Sequence, residues 1–90
     1  MGYAVMEAML SGTIPIASRV GAVPEIVEGT VAESYLFEPG NVDQLVRTME
    51  SILVISKEDL IDLAQRLRNQ ALNKFSNEAT KRALFGALSN

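Results

Sequence analysis

The chain contains neither cysteine nor histidine. Without cysteine it forms no disulfides and no thiolate metal sites. Without histidine the usual zinc sites and the His-based catalytic dyads and triads are also excluded. No cofactor and no metal are expected. Long hydrophobic runs are lacking as well, since the longest apolar stretches fall far short of the ~20 residues that span a bilayer. The N-terminus has no charged n-region of a signal peptide, and its first apolar run is broken by Glu7. A soluble, cytoplasmic protein with no membrane span is the expectation. Positive charge is scarce too: the formal net charge of −3 argues against nucleic acid or an anionic membrane as the main partner.

What is present is a chain of 90 residues, 48% of them hydrophobic. That fraction is normal for a globular protein and too high for disorder. A chain this short buries only about two-thirds of its unfolded surface, so it has little stability to spare. It is one small domain or a piece of a larger one.

Tyr3 to Leu10 contains no Gly or Pro and reads as a helix, which Ser11-Gly12 ends. Ile14 to Ser18 is short and apolar, suited to a buried parallel strand, with Pro15 tolerated only at its start or on an edge. Arg19 to Val23 is a loop. Pro24 sits in the first turn of a short helix that Gly29 stops. Ser34 to Phe37 is the second strand, closed by the turn Pro39-Gly40. Asn41 and Gln44 form a capping-box pattern, after which Val42, Leu45, Val46, Met49, Ile52 and Leu53 share one face at helical spacing. Ser56 caps the next helix, with Glu58 and Asp59 in its first turn and Leu60, Leu63, Ala64, Leu67 and Ala71 as its apolar stripe. Asp62 and Arg66 are a favourable i,i+4 pair on that helix. Ser76 opens a final helix carrying Ala79, Ala83, Leu84, Ala87 and Leu88. The order α-β-α-β-α-α-α describes an α/β chain. Two strands joined by a short crossover read as the end of an open parallel sheet, not as a closed fold.

Glu7 is the only charged residue among the first 18. It lies within the apolar run Tyr3-Ala4-Val5-Met6-Glu7-Ala8-Met9-Leu10. Such a carboxylate is either a surface residue on an amphipathic helix or a ligand contact at the rim of a core. Its surroundings bear on the choice. Gly2-Tyr3-Ala4-Val5-Met6-Glu7-Ala8-Met9, Ser11-Gly12-Thr13-Ile14-Pro15-Ile16-Ala17-Ser18 and Val20-Gly21-Ala22-Val23-Pro24-Glu25-Ile26-Val27 follow one another in order. Together they resemble the nucleotide-sugar-binding region of the group 1 (family 4) retaining glycosyltransferases, whose fold is the two-domain, Rossmann-like GT-B arrangement. Phe37-Glu38-Pro39-Gly40-Asn41 resembles that family's strand and Pro-Gly turn. Lys74-Phe75-Ser76-Asn77-Glu78 is similar to its basic-Phe-Ser-x-Glu junction. The five ordered matches cover essentially the whole chain.

The resemblance implies a partial Rossmann-like domain, residues 1–90 being the C-terminal portion of a GT-B donor-binding domain. It implies a partner, a nucleotide diphosphate sugar (UDP- or GDP-sugar), and transfer of a hexose to an acceptor hydroxyl. Glu7 matches the second of the family's two glutamates, the one implied to accept hydrogen bonds from the donor ribose. A two-oxygen, charged acceptor suits a pair of adjacent hydroxyls. The backbone N–H groups near Gly2 and Tyr3 are implied to contact the diphosphate, as the open end of a helix can. The first glutamate would fall two residues upstream of Met1, so no catalytic residue is expected within the chain. A truncated frame or fragment, inactive alone, is the expectation. Such a piece is expected to self-associate or to dock on the missing N-terminal portion.

Arg19, Gly21 and Glu25 are weaker candidates. Arg19 either meets a phosphate or is solvated. Ala22 replaces the second of two glycines the family more often has beside Gly21, and Glu25 is equally a first-turn partner of the helix dipole. Glu25 and Glu28, on one short helix with no cleft opposite, do not make an acid/base pair. Two other readings stay open: a GT-B epimerase or glycogen-synthase-like fragment, and a non-catalytic interaction or scaffold domain.

Overall fold

The computed structural model of the chain describes residues 2–76. Helix α1 spans Gly2–Leu10, strand β1 Ala17–Ser18 and helix α2 Val23–Val27. A 3-10 helix over Val31–Tyr35 precedes strand β2, Leu36–Phe37, and helices α3, Val42–Leu53, and α4, Lys57–Phe75, complete the described chain. The strands run parallel, with Ala17 opposite Leu36 and Ser18 opposite Phe37. The chain is therefore α/β, as the residue pattern predicts.

Both strands are shorter than their apolar runs. Residues 14–16 lie outside the ladder, Pro15 among them, having no N–H to donate. On the other side Ser34 and Tyr35 belong to the 3-10 helix instead of the strand. That turn is fixed from outside the run. Thr30 Oγ1 accepts from Ala32 N at 3.2 Å and donates to the Val27 carbonyl at 2.6 Å, while Val31 N donates to Gln70 Oε1 at 2.7 Å. Backbone donors satisfied in this way are not available to a ladder.

The helix ends follow their caps. At the end of α1, Thr13 N donates to the Ala8 carbonyl at 2.8 Å and Gly12 N to that of Met9 at 3.1 Å. Gly12 takes φ +80°. These are the two crossed bonds of a Schellman motif, which needs a left-handed residue at that place. In the turn before α3, Gly40 has φ +78° and Asn41 N donates to the Glu38 carbonyl at 3.0 Å. This is a type II turn, with Pro39 and Gly40 at its two centres. The capping box is only half made in consequence. Asn41 Oδ1 accepts from Gln44 N at 3.0 Å, but Asn41 N is already engaged, and Gln44 Oε1 instead takes Glu38 N at 2.6 Å. Ser56 Oγ caps α4 through Asp59 N at 3.2 Å. Ser76 closes α4, its Oγ donating back to the Asn73 carbonyl at 3.1 Å. The final helix expected after Ser76, with Ala79, Ala83, Leu84, Ala87 and Leu88, lies outside the described residues.

The core gathers three helices and the 3-10 turn. α1 contributes Val5, Met6 and Met9, α2 contributes Val23, Ile26 and Val27, the turn Ala32, and α4 Leu67, Ala71 and Phe75. The four-residue spacing on α4 puts its three on one stripe. β1 and β2 flank this cluster through Ala17 and Leu36. α3 stands apart: it packs on β2 yet buries none of its own residues. Of its apolar face Val42 is 67% and Leu53 80% exposed, while Leu45 and Ile52 are half-buried.

A hollow of ≈ 380 Å³ lies between α1 and the sheet, lined by Ala4 and Val5, by residues 15–18 and by Phe37. The first turns of α1 thus border the carboxyl ends of both strands. Ligands of open parallel sheets bind at that end.

Candidate functional site

Tyr3 and Glu7 are one helical turn apart, both exposed, on the face of α1 opposite Val5, Met6 and Met9. The amphipathic packing of α1 places Glu7 outward. Its carboxylate takes no part in either ion pair among the described residues, Arg19–Glu38 and Asp62–Arg66. Gly2 is the first residue of α1, and the first turn holds no acidic side chain. The helix therefore places no carboxylate of its own at its positive dipole end.

Two of the other three candidates, Arg19 and Glu25, lie around a different hollow. Arg19 follows β1 directly and Glu38 follows β2 directly, so the register that pairs Ser18 with Phe37 also sets these two side chains together. Arg19 Nε lies 3.1 Å from Glu38 Oε1, both side chains about half exposed, and Arg19 N donates to the Phe37 carbonyl at 2.8 Å. Arg19 is thus tied to its neighbouring strand. With Pro24, Glu25, Glu28, Glu33 and Leu36 it lines a space of ≈ 410 Å³. One guanidinium faces three carboxylates there, an arrangement that disfavours an anion. Glu25 occupies the first turn of α2, where a carboxylate complements the dipole. Gly21 is exposed, and nothing lies within 4 Å of where a Cβ would sit. The structure brings Arg19 and Glu25 together and Tyr3 and Glu7 together, with Gly21 in the turn leading to α2.

Two residues that local pattern does not single out prove central to this face. Lys74, in the last turn of α4, donates through Nζ to the carbonyls of Glu25 and Glu28 at 2.6 and 2.8 Å. Gln70 holds Val31 N, as above. Burial pushes Lys74 below its ordinary value, and the nearby carboxylates of Glu28, Glu33 and Glu25 offset this in part. The one signal in the sequence was the basic position of the Lys74-Phe75-Ser76 junction. Among the described residues no group of three or more Asp or Glu side chains could hold a metal ion. None of their helices is long and apolar enough to cross a membrane.

Parallel strands, a crossover helix and a first helix that shares a hollow with the last residue of each strand make this an α/β domain. Residues 1–74 match the glycosyl transferases group 1, and the chain belongs to that family. It is 38% identical, over 79% of its length, to the MMP alpha-(1->4)-mannosyltransferase of Mycolicibacterium hassiacum. It is 37% identical, over 59% of its length, to a sulfoquinovosyl transferase of Arabidopsis thaliana. The aligned parts are only 17% and 11% of those two proteins. No solved structure matches the chain.

Proposed function

We propose that residues 1–90 form the C-terminal portion of the donor-binding domain of a retaining, GT-B glycosyltransferase. The complete enzyme moves a hexose from a UDP- or GDP-sugar to an acceptor hydroxyl. Family membership supports glycosyl transfer, and both relatives are named as transferases of a sugar. The observation that carries the donor reading is Glu7: an exposed carboxylate, outside the ion pairs of the described chain, less than two turns from the start of α1.

In this reading α1 does two jobs. Its first turn, at Gly2 and Tyr3, faces the diphosphate, where the positive end of the helix dipole favours negative charge. Glu7 accepts from the adjacent ribose hydroxyls with its two oxygens. Arg19, held by Glu38, and Glu25, beside Glu28 and Glu33, have secondary parts as the wall of the neighbouring hollow, and Gly21 is the turn that joins them. No residue of this chain performs the transfer itself. Catalysis requires donor and acceptor to be held together, so the 90-residue chain alone does not turn over.

Calorimetric titration with UDP and GDP tests this. A hydrogen bond to a charged group is worth about 1.5–3 kcal/mol, so Glu7→Gln should weaken the nucleotide roughly 10- to 100-fold. Equal affinity in the wild type and Glu7→Gln would remove Glu7 from the donor site.

The uncovered face of α3 favours a second property. Val42, Val46, Met49 and Leu53 are all at least 45% exposed, an apolar stripe of the kind that drives association. The isolated chain should therefore sediment as a dimer or larger species; a monomer at high concentration would contradict that. A scaffold that oligomerises tightly and binds neither nucleotide is the competing outcome of the two measurements.

A further inference from the structure

The last four carbonyls of a helix find no partner within it, and α2 meets this shortage with side chains from elsewhere. It is five residues long and has no side-chain cap at its N-terminus. Gly29 N, which would close the last turn on the Glu25 carbonyl, donates instead to Glu33 Oε2 at 2.6 Å. The carbonyls of Glu25 and Glu28 are both taken by Lys74 Nζ. One turn earlier on α4, Gln70 accepts Val31 N. Gln70 and Lys74 are i,i+4 neighbours, so one stripe of α4 grips residues 25–31 at two points. The adjoining stripe, Leu67, Ala71 and Phe75, is buried in the core, which fixes the origin of both side chains. A lysine is suited to this place because its ammonium offers three donors and no acceptor.

We infer that Lys74, assisted by Gln70, is a positioning residue for the nucleotide-sugar site on α1. By clamping α2 to α4 it sets Val23, Ile26 and Val27, which share one core with Val5, Met6 and Met9 of α1. Val5 and Met6 immediately precede Glu7 in sequence. α1 packs on both α4 and α2, so where α2 rests helps to set the direction in which α1 presents Glu7. This rests on the donor-site reading of Glu7. Lys74 itself touches no ligand: its ammonium is spent on two backbone carbonyls.

The test uses the whole chain, with hydrogen exchange and with UDP and GDP titration. Lys74→Met keeps most of the aliphatic stem and removes the ammonium. It should speed amide exchange at residues 29–32 while leaving the middle of α4 protected, and weaken nucleotide binding about five- to twentyfold. Lys74→Arg, which can still donate to both carbonyls, should stay close to the wild type. Gln70→Met removes one grip only and should give a smaller loss in the same direction, which keeps the idea testable if Lys74→Met does not fold. Faster exchange with unchanged affinity would show that the clamp serves the fold alone and would overturn the inference. So would an affinity that responds to Glu7→Gln but to neither Lys74→Met nor Gln70→Met. If the wild-type chain binds neither nucleotide, the donor-site reading falls and this inference with it.

Discussion

Replacing Gly12 with alanine separates backbone strain from crowding at the joint between α1 and β1. Gly12 holds φ +80°, a conformation that costs an L-residue about 1–2 kcal/mol. Space is not the obstacle. An added Cβ would lie 3.5 Å from the Ala64 carbonyl oxygen and 3.9 Å from Arg68 Cβ, ordinary contacts with α4. The substitution also stiffens the unfolded chain, which returns about 0.4–1 kcal/mol. The strain exceeds this, and the net loss is roughly 1 kcal/mol, or about 4–8 °C in Tm for a domain of this size. Urea unfolding followed by circular dichroism reads it directly, with an unchanged slope showing that the unfolded state is equally open. Gly12→Asn is the discriminating partner. Asparagine is larger than alanine but visits the left-handed region more readily, so it should cost less. An asparagine variant worse than the alanine variant would mean that contact with α4, not φ, decides the position. An alanine variant as stable as the wild type would refute the strain argument altogether.

The parts of this chain that were legible in its sequence are those set by neighbours in sequence. Gly12, Pro24, Asn41 and Ser56 punctuate helices because caps and turns act over three or four residues, and each sits where its chemistry places it. The parallel pairing of the strands also follows from the order of elements. Their lengths do not, because residues 31–35 are drawn into a 3-10 turn by Thr30 and by Gln70, the latter 39 positions away from Val31. The α3 stripe shows the same limit in another form. Spacing identifies which side of a helix is apolar, but not whether anything covers it, and Val42 and Leu53 remain largely exposed. Among the candidate residues, Glu7 stood out in the sequence as an outlier of charge. Arg19 was a candidate there too, but its pairing with Glu38 was not legible, since it depends on strand register. Lys74 was least legible of all: its acceptors are 46 and 49 residues away and are backbone atoms, which leave no trace in side-chain pattern.

The core and the surface respond on different scales. Leu67 is fully buried, and Leu67→Ala should cost about 2–5 kcal/mol; a loss below 1 kcal/mol in urea titration would mean that α4 is not anchored there. Glu38→Gln releases Arg19 from an exposed pair worth at most about 1 kcal/mol, so stability should barely change. Nucleotide affinity should rise if the freed guanidinium reaches a donor phosphate, and an unaltered affinity confines Arg19 to linking the strands. Lys74 gives a prediction whose sign is fixed by the folded state. Burial holds it below its ordinary 10.5, with Glu28, Glu33 and Glu25 offsetting only part of the effect. Between the lowered folded value and 10.5, the unfolded chain binds more protons than the folded one, so the unfolding free energy rises with pH across that window. The cost of burying the charge is fully present below the folded value and is relieved as pH climbs through it. Lys74→Met has no such proton to lose. Subtracting its pH–stability curve from that of the wild type should leave a rise confined to the alkaline window, while a difference that falls there would show that the three carboxylates outweigh burial.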